Sequence, residues 1–263
     1  MKTFTKVALI TAGISMAAGI ALTVVGAVAT RGKTIHMYYD HGFHLDSEGK
    51  VLEMPKTVVD DFSDINIDVN AADIKFIESD EYAIEYKLQA ASVTAESKDD
   101  TLTVSTHKKK FDIHINWFNF DNEDYYVYVY YPKGADFQDV MIDTSAGDVD
   151  IEKGFNCNKI SFDLSAGDVK INNVNGELDV DMSAGDFDAK ALTLTASFDI
   201  DMSAGSATIE FVDGQKIGYD LDLSAGSAKI NGEKRGDEFT MKDGYDIVLT
   251  ADMSAGSIDI TNR

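Results

Sequence analysis

The stretch Asp181-Met182-Ser183-Ala184-Gly185-Asp186 decides the fold, because close copies of it recur through the second half of the chain. Its Ser-Ala-Gly tripeptide occurs six times, with the serine at Ser145, Ser165, Ser183, Ser203, Ser224 and Ser254. Successive serines are 20, 18, 20, 21 and 30 residues apart. A period near 20 residues is typical of stacked repeat proteins, in which each repeat buries its apolar face against its neighbours. The spacing therefore predicts an all-β solenoid with about 20 residues per coil.

Apolar and polar residues alternate before each tripeptide. In the second repeat the apolar positions are Ile160, Phe162, Leu164 and Ala166. This period of two predicts strands with one face in the core, and it places the alanine of the tripeptide on that inward face. After the glycine the parity flips, because Val169 and Ile171 are the next apolar pair. A flip requires a bulge or corner, and glycine supplies the backbone angle, so Ser-Ala-Gly is interpreted as a corner.

The last repeat is longer than the others. The 30 residues between Ser224 and Ser254 include a segment, 231–244, that is rich in glycine and charge, which predicts a hairpin inserted outside the coil. The chain ends seven residues after Gly256, so the terminal coil would present an open strand edge. We expect either that the insertion covers this edge or that two copies pair there as a homodimer.

The first half of the chain also has strand patterns. Strands are predicted in hairpin-like order at residues 65–69, 74–77, 82–88, 102–106, 111–115 and 125–131. Asn70-Ala71-Ala72-Asp73 reads as a degenerate copy of the corner, which indicates that the coils begin near residue 58. The predicted solenoid therefore spans residues 58–263, with regular repeats over 140–263.

An apolar, uncharged run of 24 residues occupies positions 7–30. A helix of about 20 residues spans a bilayer, so the run predicts one transmembrane helix within residues 1–33, followed by a juxtamembrane linker at 34–57. A signal peptide cleaved after Ala29 is the alternative. Both interpretations place the rest of the chain outside the cytoplasm, and the first predicts a single-pass cell-membrane protein with an extracytoplasmic C-terminal domain.

Charge and cysteine content restrict the classes of partner. The formal net charge is -23, which repels nucleic acid and suits divalent cations. The single cysteine, Cys157, excludes an internal disulfide, so an exported chain must rely on its core. Cys157 falls in a predicted turn, residues 154–158, and no reactive role is expected for it.

An aspartate stands two residues before every repeated serine. These residues are Asp143, Asp163, Asp181, Asp201, Asp222 and Asp252. Equivalent positions stack in a solenoid, so their carboxylates would lie about 5 Å apart and repel unless cations, protons or donors intervene. Two interpretations stay open: aspartates and serines that cap backbone donors at corners, or a weak calcium-binding ladder. No other cofactor is expected.

Enzymatic function is a minor alternative. Paired aspartates on a β-solenoid also occur in polysaccharide-cleaving β-helix enzymes, where two carboxylates in distinct environments act as acid and base. Here every coil looks alike, no basic or aromatic residue interrupts the ladder, and no Gly-x-Ser-x-Gly or phosphate loop is present. The sequence therefore predicts a protein without catalytic residues.

Aromatic and histidine residues cluster outside the repeats. Trp117, Phe118 and Phe120 lie in a predicted hairpin tip at 115–122, next to the basic segment 107–110. Such a tip suits partner binding at a membrane interface, a sugar or a protein, or alternatively covers the first coil as a mini-core. In the linker, His36, Asp40, His41 and His44 lie close together. His41 and His44, at i and i+3, could share a helical face and bind a metal.

The sequence resembles a bacterial domain family labelled "putative adhesin", a domain of unknown function. The resemblance rests on residues 125–131, Pro132-Lys133-Gly134 and Thr144-Ser145-Ala146-Gly147-Asp148-Val149, and it covers about residues 58–260. It implies a repeat β-solenoid in the cell envelope and supplies no catalytic residues. Similar proteins include membrane-anchored accessories of cell-envelope stress systems.

Together these patterns predict a non-enzymatic, adhesin-like binding or scaffolding module of the bacterial surface that contacts cell-wall polymer. The alternative is a membrane-anchored accessory or sensor of an envelope stress response that contacts an envelope membrane protein.

Overall fold

A computed structural model describes the backbone of residues 35–39, 43–46, 50–90, 92–106, 112–115 and 124–262, and the side chains of 51–90, 92–106 and 124–262. Every regular element in these ranges is a β-strand, which confirms the all-β prediction for them. None of the described residues forms a helix long and apolar enough to cross a membrane, and the predicted helix at 7–30 lies outside them. The chain divides into two compact units.

The smaller unit contains a three-stranded antiparallel sheet. Its strands are β1 (Ile35–Tyr39), β2 (Phe43–Asp46) and β9 (Asp112–Ile115), in the order β2-β1-β9. His44 therefore belongs to a strand, and the prediction that it shares a helical face with His41 is wrong in its geometry. His41 and Asp40 lie outside the described residues.

The larger unit holds the remaining strands. Its first half comprises β3 (Lys50–Val58), β4 (Asp64–Ala71), β5 (Asp73–Ser79), β6 (Ala83–Ala90), β7 (Val93–Lys98), β8 (Thr101–Thr106) and β10 (Tyr126–Pro132). Its second half comprises β11 (Asp136–Ala146), β12 (Val149–Ile151), β13 (Asn156–Leu164), β14 (Val169–Asn172), β15 (Asn175–Phe211), β16 (Ile217–Leu223), β17 (Gly226–Ile230), β18 (Glu233–Arg235), β19 (Glu238–Met241) and β20 (Ile247–Thr261). Because β15 and β20 run through corners without interruption, each contributes strands on both sides of a corner.

Each coil has one strand that leads into the corner and one that leaves it. The entering strands pair in parallel as an entry sheet made of β8, β4, β11, β13, residues 178–182 and 198–202 of β15, residues 249–253 of β20, and β16. The leaving strands form an exit sheet made of β10, β5, β12, β14, residues 187–190 and 207–210 of β15, residues 258–261 of β20, and β17. The apolar faces of these strands supply the buried core.

The corner glycines stack directly on one another. A Cβ built on Gly167, Gly185, Gly205, Gly256 or Gly226 would lie 1.8–2.0 Å from the carbonyl oxygen of the corner glycine in the preceding coil. In the first four of these, and in Gly147, φ lies between +124° and +152°, a region that L-residues with a side chain rarely adopt. Any side chain at these positions would therefore separate the coils as well as strain the backbone. The tripeptide is a corner, as predicted.

The first coil has an alanine where the others have glycine. Ala71 pairs with Ala146, and the carbonyl of Ala72 lies 2.0 Å from the Cβ position of Gly147. Asn70-Ala71-Ala72-Asp73 is therefore the degenerate corner that the sequence predicted. The hairpin-like order predicted for this region is only partly right, because β4 pairs with β8, and β5 with β10, in parallel.

The predicted inward position of the corner alanines is wrong. Leu164 is the last buried residue before the corner and Val169 is the next, whereas Ser165 and Ala166 are both exposed. The side chain of the residue before the serine fills the space beneath the corner. In the third corner this residue is the buried Met182, whose Cε lies 3.3 Å from the Cβ position of Gly185. The alternation therefore continues through Ser165 and breaks at Ala166, rather than after the glycine.

The coils do not stack in sequence order. β20 pairs with residues 198–210 of β15 on one side and with β16 and β17 on the other. The last corner in sequence, at Ser254, therefore lies in space between the fourth corner, at Ser203, and the fifth, at Ser224. The inserted segment forms β18 and β19, which pair antiparallel with β17 and β16. The insertion thus covers the outer edge of the coil formed by β16 and β17. The prediction that the coil at Ser254 presents the open edge is wrong, because that coil lies between two others.

Cys157 lies in β13, not in the turn predicted for it. It is buried, and burial raises the pKa of its thiol to about 12, so the thiol is protonated at neutral pH. Gly176 of the next coil leaves the space for it, because a Cβ there would lie 2.7 Å from the cysteine sulfur. The residue is a core component with no disulfide partner in the sequence.

Replacing Gly185 with alanine tests the stacked corner. The new Cβ would meet the Gly167 carbonyl at 1.9 Å, and the backbone would keep a φ of +136°, so we expect the free energy of unfolding to fall by about 3 kcal/mol or more. The matched control is Gly134→Ala, where φ is +78° but no heavy atom lies within 4 Å of the Cβ. That variant should lose only the cost of the left-handed backbone, about 1–2 kcal/mol. Equal losses in urea unfolding would contradict a steric role for the stacked glycines.

Candidate functional site: the acidic column

The outer face of the entry sheet carries aspartates in direct register from coil to coil. In spatial order this acidic column is Asp68, Asp143, Asp163, Asp181, Asp201, Asp252 and Asp222. Six of these residues are the predicted ladder, and the structure brings them together. Sequence reasoning missed Asp68, although the degenerate corner at residues 70–72 follows it by the same two-residue offset.

The equivalent position on the exit sheet has mixed charges. In spatial order this mixed column is Lys75, Asp150, Lys170, Asp188, Thr208, Asp259 and Lys229. Nζ of Lys75 lies 3.2 Å from the Asp150 carboxylate and 3.1 Å from that of Glu152, and these hydrogen bonds raise the pKa of Lys75. Neighbouring side chains are separated by the same strand spacing in both columns. Stacking of the coils therefore does not explain why one column carries charges of a single sign.

Like charges affect the centre of the acidic column. Partial burial, with the neighbouring charges of Asp163 and Asp201, raises the pKa of Asp181 above its usual range. Carboxylates in directly opposed cross-strand positions destabilise a sheet, because each ion raises the electrostatic cost of the next. The charged form of Asp181 is therefore disfavoured at the centre of the column, and a bound cation or proton there would relieve this cost.

A surface depression of about 560 Å³ lies along this column. Its polar lining is Asp139, Asp143, Lys159, Ser161, Asp163, Asp179 and Asp181. Lys159 is already engaged, with Nζ 2.9 Å from Asp179 and 3.4 Å from Glu177. Met141, whose exposed fraction is 55%, provides an apolar spot among the carboxylates. The depression is thus strongly acidic, with one apolar contact surface.

A second aspartate series follows the corner glycine and has a structural role. The backbone N–H of Asp168 donates to Oδ1 of Asp148 at 2.9 Å, and that of Asp186 donates to Oδ1 of Asp168 at 3.0 Å. The series continues until the N–H of Ser206 donates to Asp186 at 2.9 Å. These side chains satisfy corner amides of the next coil, which is the capping role that the sequence left open. The acidic column precedes the corner, so the two series are distinct.

The repeated serines form an exposed column between the two aspartate series. Its members are Ser145, Ser165, Ser183, Ser203, Ser254 and Ser224, all exposed to solvent. Their hydroxyls add neutral oxygen atoms beside the acidic column. Among the residues whose side chains are described, no three or more His, Cys, Asp or Glu side chains are placed to hold one metal ion. Calcium binding by the column stays a prediction.

The predicted aromatic contact residues Trp117, Phe118 and Phe120 lie outside the described residues. An aromatic feature that the sequence treated as ordinary strand is the outer face of β10. Tyr126 and Tyr130 both donate to the carboxylate of Glu85, at 3.1 and 2.8 Å, and Lys56 lies 4.4 Å from the Tyr130 ring centre. Burial, followed by the contact with Glu85, raises the pKa of Tyr130 to about 12. These rings are fixed in place at the end of the exit sheet.

Comparison with known proteins places the chain in a family. The model of the Toastrack DUF4097 family matches residues 62–169 and again residues 154–261, which together make up about three-quarters of the chain. The chain belongs to this family, a domain of unknown function. The predicted membership of such a domain family is confirmed, over nearly the same residues. No curated protein matches the chain.

Several solved structures are similar to the chain at low identity. A candidate cell adhesion protein from Clostridium sporogenes is 15% identical, with 81% of this chain and 100% of that chain covered and a TM-score of 0.47. A candidate adhesin from Bacteroides fragilis is 17% identical, with coverage of 81% and 97% and a TM-score of 0.32. A candidate lipid binding protein from Parabacteroides distasonis is 12% identical, with coverage of 83% and 98% and a TM-score of 0.28.

Replacing Asp181 with asparagine tests the repulsion in the acidic column. Because the folded-state pKa of Asp181 is raised, the folded protein binds more protons than the unfolded chain above about pH 4, and stability falls as the pH rises through the folded pKa. The variant should therefore be more stable than the parent at pH 7, by about 0.5 kcal/mol because the group is exposed, and the difference should vanish at pH 3.

The control for this test is Asp150→Asn in the mixed column. It removes the ion pair with Lys75, so it should lower stability slightly at pH 7. Thermal unfolding at low ionic strength measures both variants. If Asp181→Asn also lowers stability at pH 7, the column is held by favourable interactions and the repulsion account is wrong.

Proposed function

We propose that this member of the Toastrack DUF4097 family is a non-enzymatic, adhesin-like binding module of the bacterial envelope, and that its acidic column is the binding surface. The column gathers divalent cations, with calcium as the ion best suited, and these ions bridge to anionic groups of cell-wall polymer. The observation that carries the proposal is the contrast between the two columns: the same coils hold charges of one sign in the acidic column of the entry sheet and of both signs in the mixed column of the exit sheet.

The chemistry of the column suits calcium. Strands in a sheet lie about 4.8 Å apart, so neighbouring carboxylates and the serine hydroxyls beside them offer hard oxygen atoms along a line. Calcium takes six to eight oxygen ligands and tolerates irregular geometry, with water or a second anion in the remaining positions. A surface-bound ion of this kind would leave positions open for phosphate or carboxylate groups of a polymer.

Repetition compensates for weak single sites. Each pair of aspartates such as Asp163 and Asp181 offers only part of a coordination shell, so the affinity of one pair is low. A polymer with regularly spaced anionic groups can engage several pairs at once, and linked sites raise the overall affinity without any new contact. The column runs through every coil of the repeat, which favours a long, repetitive ligand over a small molecule.

The uniformity of the column also supports a role without catalysis. Acid–base catalysis by two carboxylates requires environments that separate their pKa values. Along this column every aspartate between Asp68 and Asp222 has aspartates as its neighbours, and no basic or aromatic side chain lies in register with the column. The site is therefore better suited to binding than to bond cleavage.

Location outside the cytoplasm is part of the proposal. The apolar run at 7–30 would anchor the chain in the membrane and leave the coils on the outer side, where calcium and wall polymer are available. A membrane-anchored accessory of an envelope stress response, with Trp117 in its contact surface, is the alternative if polymer binding fails.

Co-sedimentation of the purified protein with isolated cell-wall polymer tests the proposed function. The parent should pellet with polymer in calcium and stay in solution with chelator. Replacing Asp163, Asp181 and Asp201 with asparagine should reduce calcium-dependent pelleting by about tenfold, because three adjacent sites are lost. The matched control replaces Asp150, Asp188 and Asp259 of the mixed column with asparagine, which changes the net charge by the same amount.

Equal losses in the two triple variants would show a net-charge effect and contradict a specific acidic column. Pelleting that ignores calcium would contradict the bridging ion. If the parent does not pellet in either condition, the adhesin proposal fails, and the membrane-partner alternative is tested next by co-purification with Trp117→Ser and Phe118→Ser.

A further inference from the structure

The position of β20 separates the order of the coils in space from their order in sequence. Residues 249–261 of β20 pair in parallel with residues 198–210 of β15, and the other edge of β20 pairs with β16 and β17. Along the sequence, the strands of the outer coil, β16 and β17, therefore come before β20, which lies between that coil and residues 198–210. Until β20 is in place, residues 198–210 have an open parallel edge.

The two strands at this junction have the same sequence at the corner. Residues 201–206 and residues 252–257 both read Asp-Met-Ser-Ala-Gly-Ser, and they pair residue for residue, from Asp201 with Asp252 to Ser206 with Ser257. The stacked glycines continue through the junction, with the Cβ position of Gly256 1.8 Å from the carbonyl oxygen of Gly205. The pairing is thus specified by features that every copy of the chain carries.

Residues 217–262 form a connected unit, which we term the C-terminal unit. β20 pairs with β16 and β17, and these pair with β19 and β18. Asn231 and Asn262 close it through two hydrogen bonds, from Asn231 Nδ2 to the Asn262 carbonyl at 2.7 Å and from the Asn262 amide to Asn231 Oδ1 at 2.8 Å. The inner edge of this unit is β20.

A short connection joins the C-terminal unit to the coils before it. Residues 212–216 leave β15, cross the height of β20 and enter β16, a distance of two strand spacings or about 10 Å. Gly214 has a φ of +87° and open space around its Cβ position. The Gln215 side chain holds the connection to the core coils, donating to the Leu192 carbonyl at 2.7 Å and accepting from the Leu194 amide at 2.8 Å. These residues are the hinge.

We propose that two copies of this chain exchange their C-terminal units. In the exchanged dimer β20 of each copy pairs with residues 198–210 of the other, and the hinge at 212–216 extends instead of folding back. The same backbone pairs, stacked glycines and buried side chains form in the dimer and in the monomer. The free energies of the two states therefore differ mainly in the conformation of the hinge and in the entropy lost on association.

The topology favours exchange at this junction over the other junctions of the coil stack. Between coils that follow each other in sequence, opening a ladder leaves the strands tied by a covalent turn at the same edge. At the β15–β20 junction the register partners, such as Phe198 and Leu249, are 51 residues apart in the sequence. The hinge is the covalent link between the two sides of this junction, so the whole C-terminal unit can leave together. An opened molecule exposes a strand edge on each side of the gap, and a second opened copy satisfies both.

Disulfide trapping between differently labelled chains tests the exchange directly. Asp199 and Thr250 are exposed register partners across the junction, so cysteines there meet the geometry of a disulfide. Full-length Asp199→Cys and Thr250→Cys chains are mixed in denaturant, refolded together at high concentration and oxidised. We expect a disulfide-linked heterodimer. The mismatched mixture of Thr208→Cys with Thr250→Cys, which are not register partners, is the control and should give none above the parent level.

Hinge length provides the second variable. Deleting Asp213 and Gly214 removes the turn at Gly214 and leaves a connection that crosses β20 in the monomer only when nearly extended, so the fraction of linked heterodimer should rise severalfold. Inserting two glycines after Gly214 relaxes the monomeric connection and should lower that fraction. If the shortened chain does not fold, the mixture of Asp199→Cys and Thr250→Cys chains with the unaltered hinge still tests whether the linked heterodimer forms.

The proposal is overturned if matched and mismatched mixtures give the same amount of heterodimer. A dimer of the Asp199→Cys and Thr250→Cys chains that does not become disulfide-linked on oxidation also overturns it, because that dimer uses another surface. Replacing Asp163 and Asp181, which lie outside the β15–β20 junction, with asparagine should weaken polymer binding and leave the linked fraction unchanged, so the exchange and the proposed polymer binding are tested independently.

Discussion

The contact between a corner glycine and the carbonyl oxygen of the coil beneath it is the constraint on which the structure depends. A hydrogen is the only substituent that fits where Gly185 meets Gly167, and the same is true at each later corner. Because the corner is fixed in this way, each coil is held in one register on its neighbour. Met182 and its equivalents fill the space beneath, and the aspartate after the glycine satisfies an amide of the next coil.

Because the coils stack in one register, residues repeated in the sequence form columns of like side chains on the surface. Any residue type repeated at a fixed offset from the corner becomes a line of that side chain about 4.8 Å apart. The chain uses this in two ways: the mixed column of the exit sheet combines lysine with aspartate and gains ion pairs, whereas the acidic column of the entry sheet repeats aspartate. Keeping one sign in the acidic column costs stability there, and the proposed binding of cations would offset the cost. The account of function depends on this difference.

Much of this arrangement could be predicted from the sequence. The period of the tripeptide, the alternation before it and the parity flip after it predict stacked strands with a corner, and they place Asp163 and Asp181 in one line. The mixed column could also have been predicted, since Asp150, Lys170 and Asp188 stand at the same offset from their corner glycines. Its mixed charge bears on function only when it is compared with the single sign of the acidic column. The alanine position failed because period two cannot tell where within a corner the alternation breaks.

The order of the coils could not be predicted, since spacing along the chain does not specify which strand edges meet in space. The 30-residue gap before Ser254 marked an insertion, yet only the pairing of β20 shows that the insertion lets the last strand return between two earlier coils. The predicted membrane helix and the Trp117 segment lie outside the described residues, so the larger unit alone supports the proposed binding surface.

Amide hydrogen exchange at the corners is the most direct test of the stacked register. The amides of Asp168, Asp186 and Ser206 follow corner glycines, and each donates to the aspartate of the preceding coil. The account predicts that they exchange as slowly as amides in the middle of the entry strands, because both open only when the coils separate. Exchange at the rate of exposed loop amides, with the strands still protected, would contradict it.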